Sequence, residues 1–198
     1  MGERGGSGHD RRVKGIVFNL LEQVVSRDYG EDTWDDLLGA AGLVGAYTSL
    51  GSYPDEHLGR IVAAASEALA LPSQDVVRWF GREALPALAK AYPAFFSPHT
   101  DTRAFLLTLN DIIHPEVRKL YPGADVPEFD FDRRPDGSLA MGYGSHRKMC
   151  SFAEGLIEGA ATHFGEQVTI SQPRCMLRGD ARCELEITFS PAPQVTHG

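Results

Sequence analysis

The sequence lacks long hydrophobic runs and an excess of positive charge, and each shortage excludes a class of protein. No stretch of about 18 apolar residues occurs, and the N-terminal MGERGGSGHDRRV lacks the apolar core of a signal peptide. The formal net charge of -8 disfavours binding to nucleic acid phosphates or anionic lipid through a basic surface. We therefore expect a cytoplasmic protein that binds neither nucleic acid nor membrane.

Cysteine is also scarce, with only Cys150, Cys175 and Cys183 in the chain. Three cysteines do not make a disulfide framework, and a reducing compartment keeps them as thiols or metal thiolates. Cys175 and Cys183 flank RGDA, which predicts a hairpin turn centred on Gly179 and Asp180. We expect the three cysteines at one end of a sheet, either as a metal or redox site or as small buried thiols.

Apolar spacing predicts a mostly helical first half. Residues 1–12 are rich in Gly and Arg and predict a disordered leader, and 191–198 form a tail. Helices are predicted in VKGIVFNLLEQVVSRDYG, in DTWDDLLGAAG with Asp32 as its cap, in PDEHLGRIVAAASEALAL and in PSQDVVRWFGREALPALAKAYPAFF. A further helix over DTRAFLLTLNDIIHPEVRKLYPG carries an apolar stripe that includes Ile112, and Pro115 bends it just after His114.

The second half mixes strands with a helix. SLAMGYGS alternates like a strand, KMCSFAEGLIEGAATHFG predicts a helix, and EQVTISQPRCML with RCELEITFS predicts a hairpin. We therefore predict an α+β fold in one domain over residues 13–190. A helical lobe spans about 13–72, and a lobe with an antiparallel sheet spans about 73–190.

Three side chains near the end of the predicted strand suit an anionic ligand. Strand alternation places Tyr143, Ser145 and Arg147 on one side and His146 on the other. Two hydroxyls and a guanidinium can bind carboxylates or a phosphate, although a solvated strand end has the same composition. We call Tyr143, Ser145 and Arg147 the YxSxR motif.

His114 precedes this motif by 29 residues and precedes Pro127 by 13. This ordered set resembles the heme nitric oxide/oxygen-binding (H-NOX) domains, which are related to the sensor domain of soluble guanylate cyclase. KGIVFNLLEQVV, DTWDDLL and LIEGAATHF are also similar to that family, so the resemblance covers about residues 13 to 190.

The resemblance implies an H-NOX fold with heme b between the two lobes. His114 would be the axial ligand of the iron, the YxSxR motif would bind the propionates, and Pro127 would press on the porphyrin. Such a cofactor requires a neutral imidazole on an apolar helix and a set of side chains that donate hydrogen bonds to its carboxylates.

The resemblance also implies a choice of gas. Family members that hold oxygen place a Tyr five residues beyond the Arg of the motif, where this sequence has Phe152. Alignment puts Val17 and Leu21 over the heme, and Ala84 where oxygen binders can carry an Asn. An apolar pocket offers bound oxygen no hydrogen bond, so we expect nitric oxide, and also carbon monoxide, as the ligands.

These residues favour a sensor over an enzyme. A peroxidase or oxygenase needs acid and base groups above the iron, and the four aligned side chains provide none. Nitric oxide would weaken or break the bond between iron and His114. No output segment follows in the sequence, so the family implies a separate histidine kinase or diguanylate cyclase as partner.

Two alternatives concern the cysteines. Some family members hold zinc with three cysteines and a His three residues before the second; this sequence has Gln172 there, and an amide oxygen is a poor zinc ligand beside thiolates. His146 or His163 could substitute. CMLRGDARCELEIT also resembles the hairpin of V4R domains, which implies a heme-free small-molecule, thiol or zinc redox sensor as the alternative function.

Overall fold

The computed structural model describes residues 12–192, which divide into two compact units between Ala70 and Leu71. Of the predicted leader, 1–12, and the predicted tail, 191–198, the structure describes only Arg12, which begins a strand, and residues 191 and 192, of which Pro191 ends a strand; the rest lies outside the described residues. Helices and an antiparallel sheet confirm the predicted α+β class. Within 12–192, no helix combines the length and the apolar character needed to cross a membrane.

The first unit consists of three helices and a short antiparallel pair of strands. Its elements are β1 (Arg12–Lys14), α1 (Gly15–Tyr29), α2 (Glu31–Ala41), β2 (Ser52–Pro54) and α3 (Asp55–Leu69). Helix α1 buries Phe18, Leu21 and Val24 at helical spacing and ends at Gly30, whose φ of 97° favours glycine. Helix α2 starts at Glu31, so Asp32 lies in its first turn and is not the N-cap that we predicted.

The second unit places helices against a four-stranded sheet. Its elements are α4 (Ser73–Ala91), α5 (Pro93–Phe96), α6 (Thr102–Leu106), a π-helical turn (Leu109–Ile113), α7 (His114–Leu120), β3 (Glu128–Arg133), β4 (Leu139–Gly144), α8 (Cys150–His163), β5 (Glu166–Arg174), a 3-10 turn (Met176–Arg178) and β6 (Cys183–Pro191). Helices α4 and α8 pack closely because Gly155 has no side chain. A Cβ at this position would overlap the Arg78 carbonyl. Pro86 lies inside α4.

The sheet has the strand order β3-β4-β6-β5, and every neighbouring pair is antiparallel. Alternate side chains of β4 and β6, among them Leu139, Met141 and Leu185, are fully buried in the core. Tyr143 pairs with Phe129 on one side and with Cys183 on the other. A β-bulge between Ser171 and Arg174 interrupts β5.

The segment that leads to His114 differs from the predicted single helix. Helix α6 ends at Leu106, and a π-helical turn then joins α7, which starts at His114. Ile112 is 52% exposed, so its predicted place in the apolar stripe is wrong. The wider π turn rotates the following side chains relative to those of a regular helix, which is why 3.6-residue spacing misplaces Ile112.

Candidate functional site

His114 stands at the junction of the π turn and α7. Its backbone N–H donates to the carbonyl of Leu109, five residues back. Pro115 follows and has no N–H to continue the hydrogen-bond ladder, so it fits the first turn of a new helix. For this reason α7 begins at His114, the candidate iron ligand.

The imidazole of His114 is half-buried in apolar surroundings. Its ring centroid lies 5.3 Å from that of Phe129, and the planes are inclined by 27°. Within residues 12–192 the ring makes no hydrogen bond or ion pair. Burial, with a smaller contribution from the charge of Arg118, lowers the pKa of His114 from 6.5 to about 4. The imidazole is neutral at pH 7 and offers a lone pair, as a metal ligand must.

The first two residues of the YxSxR motif close the turn between β4 and α8. The hydroxyl of Tyr143 accepts a hydrogen bond from the backbone N–H of Met149 at 3.1 Å. The Ser145 hydroxyl accepts from the backbone N–H of Arg147 at 3.3 Å. Burial raises the pKa of Tyr143 to about 12, so its hydroxyl keeps a proton that it can donate.

The third residue of the motif contacts an acidic side chain. Only 14% of the Arg147 side chain is exposed, and its guanidinium lies 2.9 Å from the backbone carbonyl of Asp125 and 3.3 Å from the Asp125 carboxylate. His146 Nδ1 lies 3.1 Å from the same carboxylate, so His146 and Arg147 do not point to opposite sides as strand alternation predicted. The strand has ended at Gly144, and the turn brings both side chains to Asp125.

Phe129 connects the candidate iron ligand with the motif. Its ring packs against His114 on one side and lies 5.9 Å from the ring of Tyr143. Asn110 in the π turn donates to the Phe129 carbonyl at 2.8 Å, and Pro127 is half-buried two residues before Phe129. Phe129 was not among the predicted site residues, although the alternation in EFDFDR could have predicted its strand.

The four expected pocket residues lie in both units. In the second unit, the ring of Phe152 on α8 lies 5.1 Å from that of Phe80, and Ala84 is fully buried one turn beyond Phe80 on α4. In the first unit, Leu21 is buried and Val17 is half-buried on α1. All four side chains are apolar, so none could donate a hydrogen bond to a ligand.

The three cysteines converge on one point in the second unit. Their sulphur atoms all lie within 4.8 Å of one another, and Cys150 Sγ is 3.7 Å from Cys175 Sγ. All three are buried free thiols. Burial raises the pKa of Cys150. It also raises the pKa of Cys183, to about 12. Burial also acts on Cys175, but the N–H groups of Leu177 and Arg178 and the neighbouring thiols together lower its pKa.

This thiol cluster does not fit zinc as a structural ion. Structural zinc is almost always bound by four ligands, and within the described residues the cluster contains three cysteines and no histidine. His146 contacts Asp125, and the ring of His163 packs against Phe96 at 5.2 Å, so neither takes the fourth position. Gln172, at the position of the expected histidine, is an amide.

Comparison with known proteins agrees with this geometry. The family model described as Haem-NO-binding matches residues 14–172. The chain belongs to this H-NOX family. It is similar to an H-NOX protein of S. oneidensis solved in the Fe(II)NO ligation state, at 35% identity over 90% of this chain and 99% of that one, with a TM-score of 0.85.

Two further H-NOX structures extend the comparison. The H-NOX protein of Shewanella woodyi, solved with IWP-051 in the Fe(II)CO state, is 34% identical over 94% of this chain and 99% of that one, with a TM-score of 0.77. The unliganded Fe(II) H-NOX protein of K. algicida, at 24% identity over 94% and 100% of the two chains, shares the fold with a TM-score of 0.80.

H-NOX domains bind heme and act as gas sensors, and the residues of this chain fit that cofactor. His114 is neutral and faces an aromatic ring, which suits a ligand to iron beside a flat apolar group. Tyr143 retains its proton, and the guanidinium of Arg147 has five N–H donors for two carboxylates. Both groups therefore suit a propionate.

Proposed function

We propose that this H-NOX chain senses nitric oxide at the ferrous iron of heme b. The observation that carries the proposal is the neutral, half-buried His114 beside Phe129, on a chain that belongs to the family. Heme supplies an iron atom that binds a diatomic gas. His114 supplies the protein ligand to that iron, and the YxSxR motif holds the propionates by charge-assisted hydrogen bonds.

Pro127 and the apolar side chains have separate roles in this proposal. Pro127, on the segment that leads into β3, would contact the porphyrin. The side chains of Val17, Leu21, Ala84 and Phe152 are apolar and would offer oxygen no hydrogen-bond donor, which would disfavour this gas. Nitric oxide needs no such donor. The S. oneidensis protein in the Fe(II)NO state supports this ligand for a relative.

His114, at the start of α7, would hold the iron, so a shift of α7 would carry the signal in this proposal. Asn110 and Phe129 couple that segment to β3, so the movement would reach the sheet. The chain acts as a non-enzymatic cytoplasmic sensor, and a histidine kinase or diguanylate cyclase receives the signal. Carbon monoxide is a second ligand.

The absorption spectrum of the reduced protein tests this function. The protein with heme should show a Soret band that shifts with nitric oxide and stays unchanged in air. His114→Gly should lose heme unless imidazole is supplied, because imidazole replaces the missing ligand. A stable oxygen complex of the wild type would contradict the ligand choice, and unchanged heme binding by His114→Gly would contradict the assignment of His114.

The converging cysteines favour a second candidate, a heme-free thiol sensor of the V4R type. The same spectrum separates the two. Absence of a Soret band in protein made with ample heme would favour the V4R function over the nitric oxide sensor.

A further inference from the structure

The thiol cluster has the dimensions of a site for one metal ion. Three sulphur atoms bound to one ion at about 2.3 Å lie about 4 Å apart when they surround it evenly. The cysteine sulphurs all lie within 4.8 Å of one another, and the Cys150 and Cys175 sulphurs are 3.7 Å apart. One ion therefore fits between the three sulphurs without a change in the backbone.

The 3-10 turn between Cys175 and Cys183 provides a backbone donor to one of these sulphurs. The N–H of Met176 donates to Cys183 Sγ at 3.2 Å, whereas the N–H of Arg178 donates to the backbone carbonyl of Cys175 at 2.8 Å. A hydrogen bond such as that of Met176 stabilises negative charge on sulphur, so the turn is suited to a thiolate that binds a cation.

Gln172 lies beside Cys150 and carries an unused N–H donor. The β-bulge opposes Gln172 and Pro173 to a single residue of β6 and so changes the direction of the side chain. The Gln172 Nε2 is buried without a hydrogen-bond partner within the described residues. A buried unsatisfied N–H is costly, and a metal-bound Cys150 thiolate would satisfy it.

We propose that Cys150, Cys175 and Cys183 bind one soft monovalent ion, Cu(I), with three sulphur ligands, and that Gln172 donates to Cys150 without ligating the metal. Thiolates select soft cations, and Cu(I) is satisfied by three sulphurs, whereas structural zinc requires a fourth ligand. The ion displaces the thiol protons and keeps its oxidation state.

Competition between the protein and chelators tests both metals. The purified protein, reduced and without oxygen, is titrated with Cu(I) against bathocuproine disulfonate and with Zn(II) against a zinc indicator. We expect about one Cu(I) per chain, three sulphur ligands by copper X-ray absorption, and weak zinc binding. If the protein takes zinc from its indicator as completely as it takes Cu(I) from bathocuproine disulfonate, the proposal is overturned.

Variants of the cysteines and of Gln172 make the test specific. The variant with all three cysteines changed to Ser should lose the site, with Cu(I) binding weakened by more than about 100-fold, and Gln172→Leu should weaken it only about tenfold, as loss of an outer hydrogen bond does. Equal copper retention by the serine variant would show that the ion binds elsewhere and refute the site. Complete loss in Gln172→Leu would refute the role assigned to Gln172.

A gain of zinc binding provides a readout that loss of folding cannot imitate. Gln172→His supplies a fourth ligand and should tighten zinc binding at least about tenfold. Gln167→His is the matched control, since Gln167 is exposed on the same strand and pairs with Ser190. Equal zinc binding by wild type and Gln172→His, or an equal gain in Gln167→His, would contradict the proposed geometry.

Discussion

Acid should destabilise the heme-free protein through His114. Burial lowers the pKa of this imidazole from 6.5 to about 4. Between these pH values the imidazole is protonated in the unfolded chain and neutral in the folded chain. The free energy of unfolding therefore falls as the pH falls from about 6.5 to about 4. Each pH unit costs at most about 1.4 kcal/mol, so a pKa difference of about 2.5 gives an upper limit of about 3.5 kcal/mol. Because the ring is partly exposed, we expect about 2 kcal/mol.

Urea unfolding of the wild type and His114→Leu measures this contribution. Between about pH 7 and about pH 5, the wild type should lose about 1 kcal/mol more stability than the variant, which keeps every other titrating group. The pKa of the ring, followed by NMR, should lie clearly below 6.5. Equal pH dependence of the two proteins, or a ring that titrates near 6.5, would refute the claim that burial keeps His114 neutral.

Three other substitutions test the pocket, the motif and the packing. Phe152→Tyr should raise the oxygen affinity of the ferrous protein about 10- to 100-fold, since a hydrogen bond to a charged acceptor contributes about 1.5 to 3 kcal/mol. Phe80→Tyr is the control and should leave the affinity unchanged. If absorption shows the same oxygen affinity in Phe152→Tyr and the wild type, position 152 does not control oxygen binding. Arg147→Ala should release heme to apomyoglobin at least about tenfold faster, with a smaller effect for Arg147→Lys, and equal rates would exclude a propionate contact. Gly155→Ala should lower the free energy of unfolding by about 1 to 3 kcal/mol because its Cβ meets a backbone carbonyl of α4, whereas Gly59→Ala has open space and should not; similar urea midpoints would count against the close packing of α4 and α8.

Local patterns were sufficient to predict most of the second unit. Alternation predicted β4, the stretch KMCSFAEGLIEGAATHFG predicted helix α8, and the RGDA turn predicted that Cys175 and Cys183 approach each other. These features depend on neighbours in the chain, which a sequence displays directly.

Features that depend on distant partners were not predictable in the same way. Phe129 packs between His114 and Tyr143 because β3 pairs with β4, a contact that no short window contains. Asp125 meets Arg147 only because the chain turns after Gly144. The π turn was missed because a pattern with 3.6-residue spacing cannot register one extra residue in a turn.

The π turn gives the segment before His114 one residue that can be lost. A π turn holds one residue more than the α-helical turn it replaces, and His114 closes it through the Leu109 carbonyl. Removal of a single residue between 109 and 113 would convert the turn to α-helix, and because one turn of either helix returns the chain to about the same direction, α6 and His114 would keep nearly their relative orientation. The deletion would instead change which side chain of the turn faces the Phe129 carbonyl, to which Asn110 now donates. A one-residue deletion here would therefore cut the link to β3 while the imidazole keeps its direction.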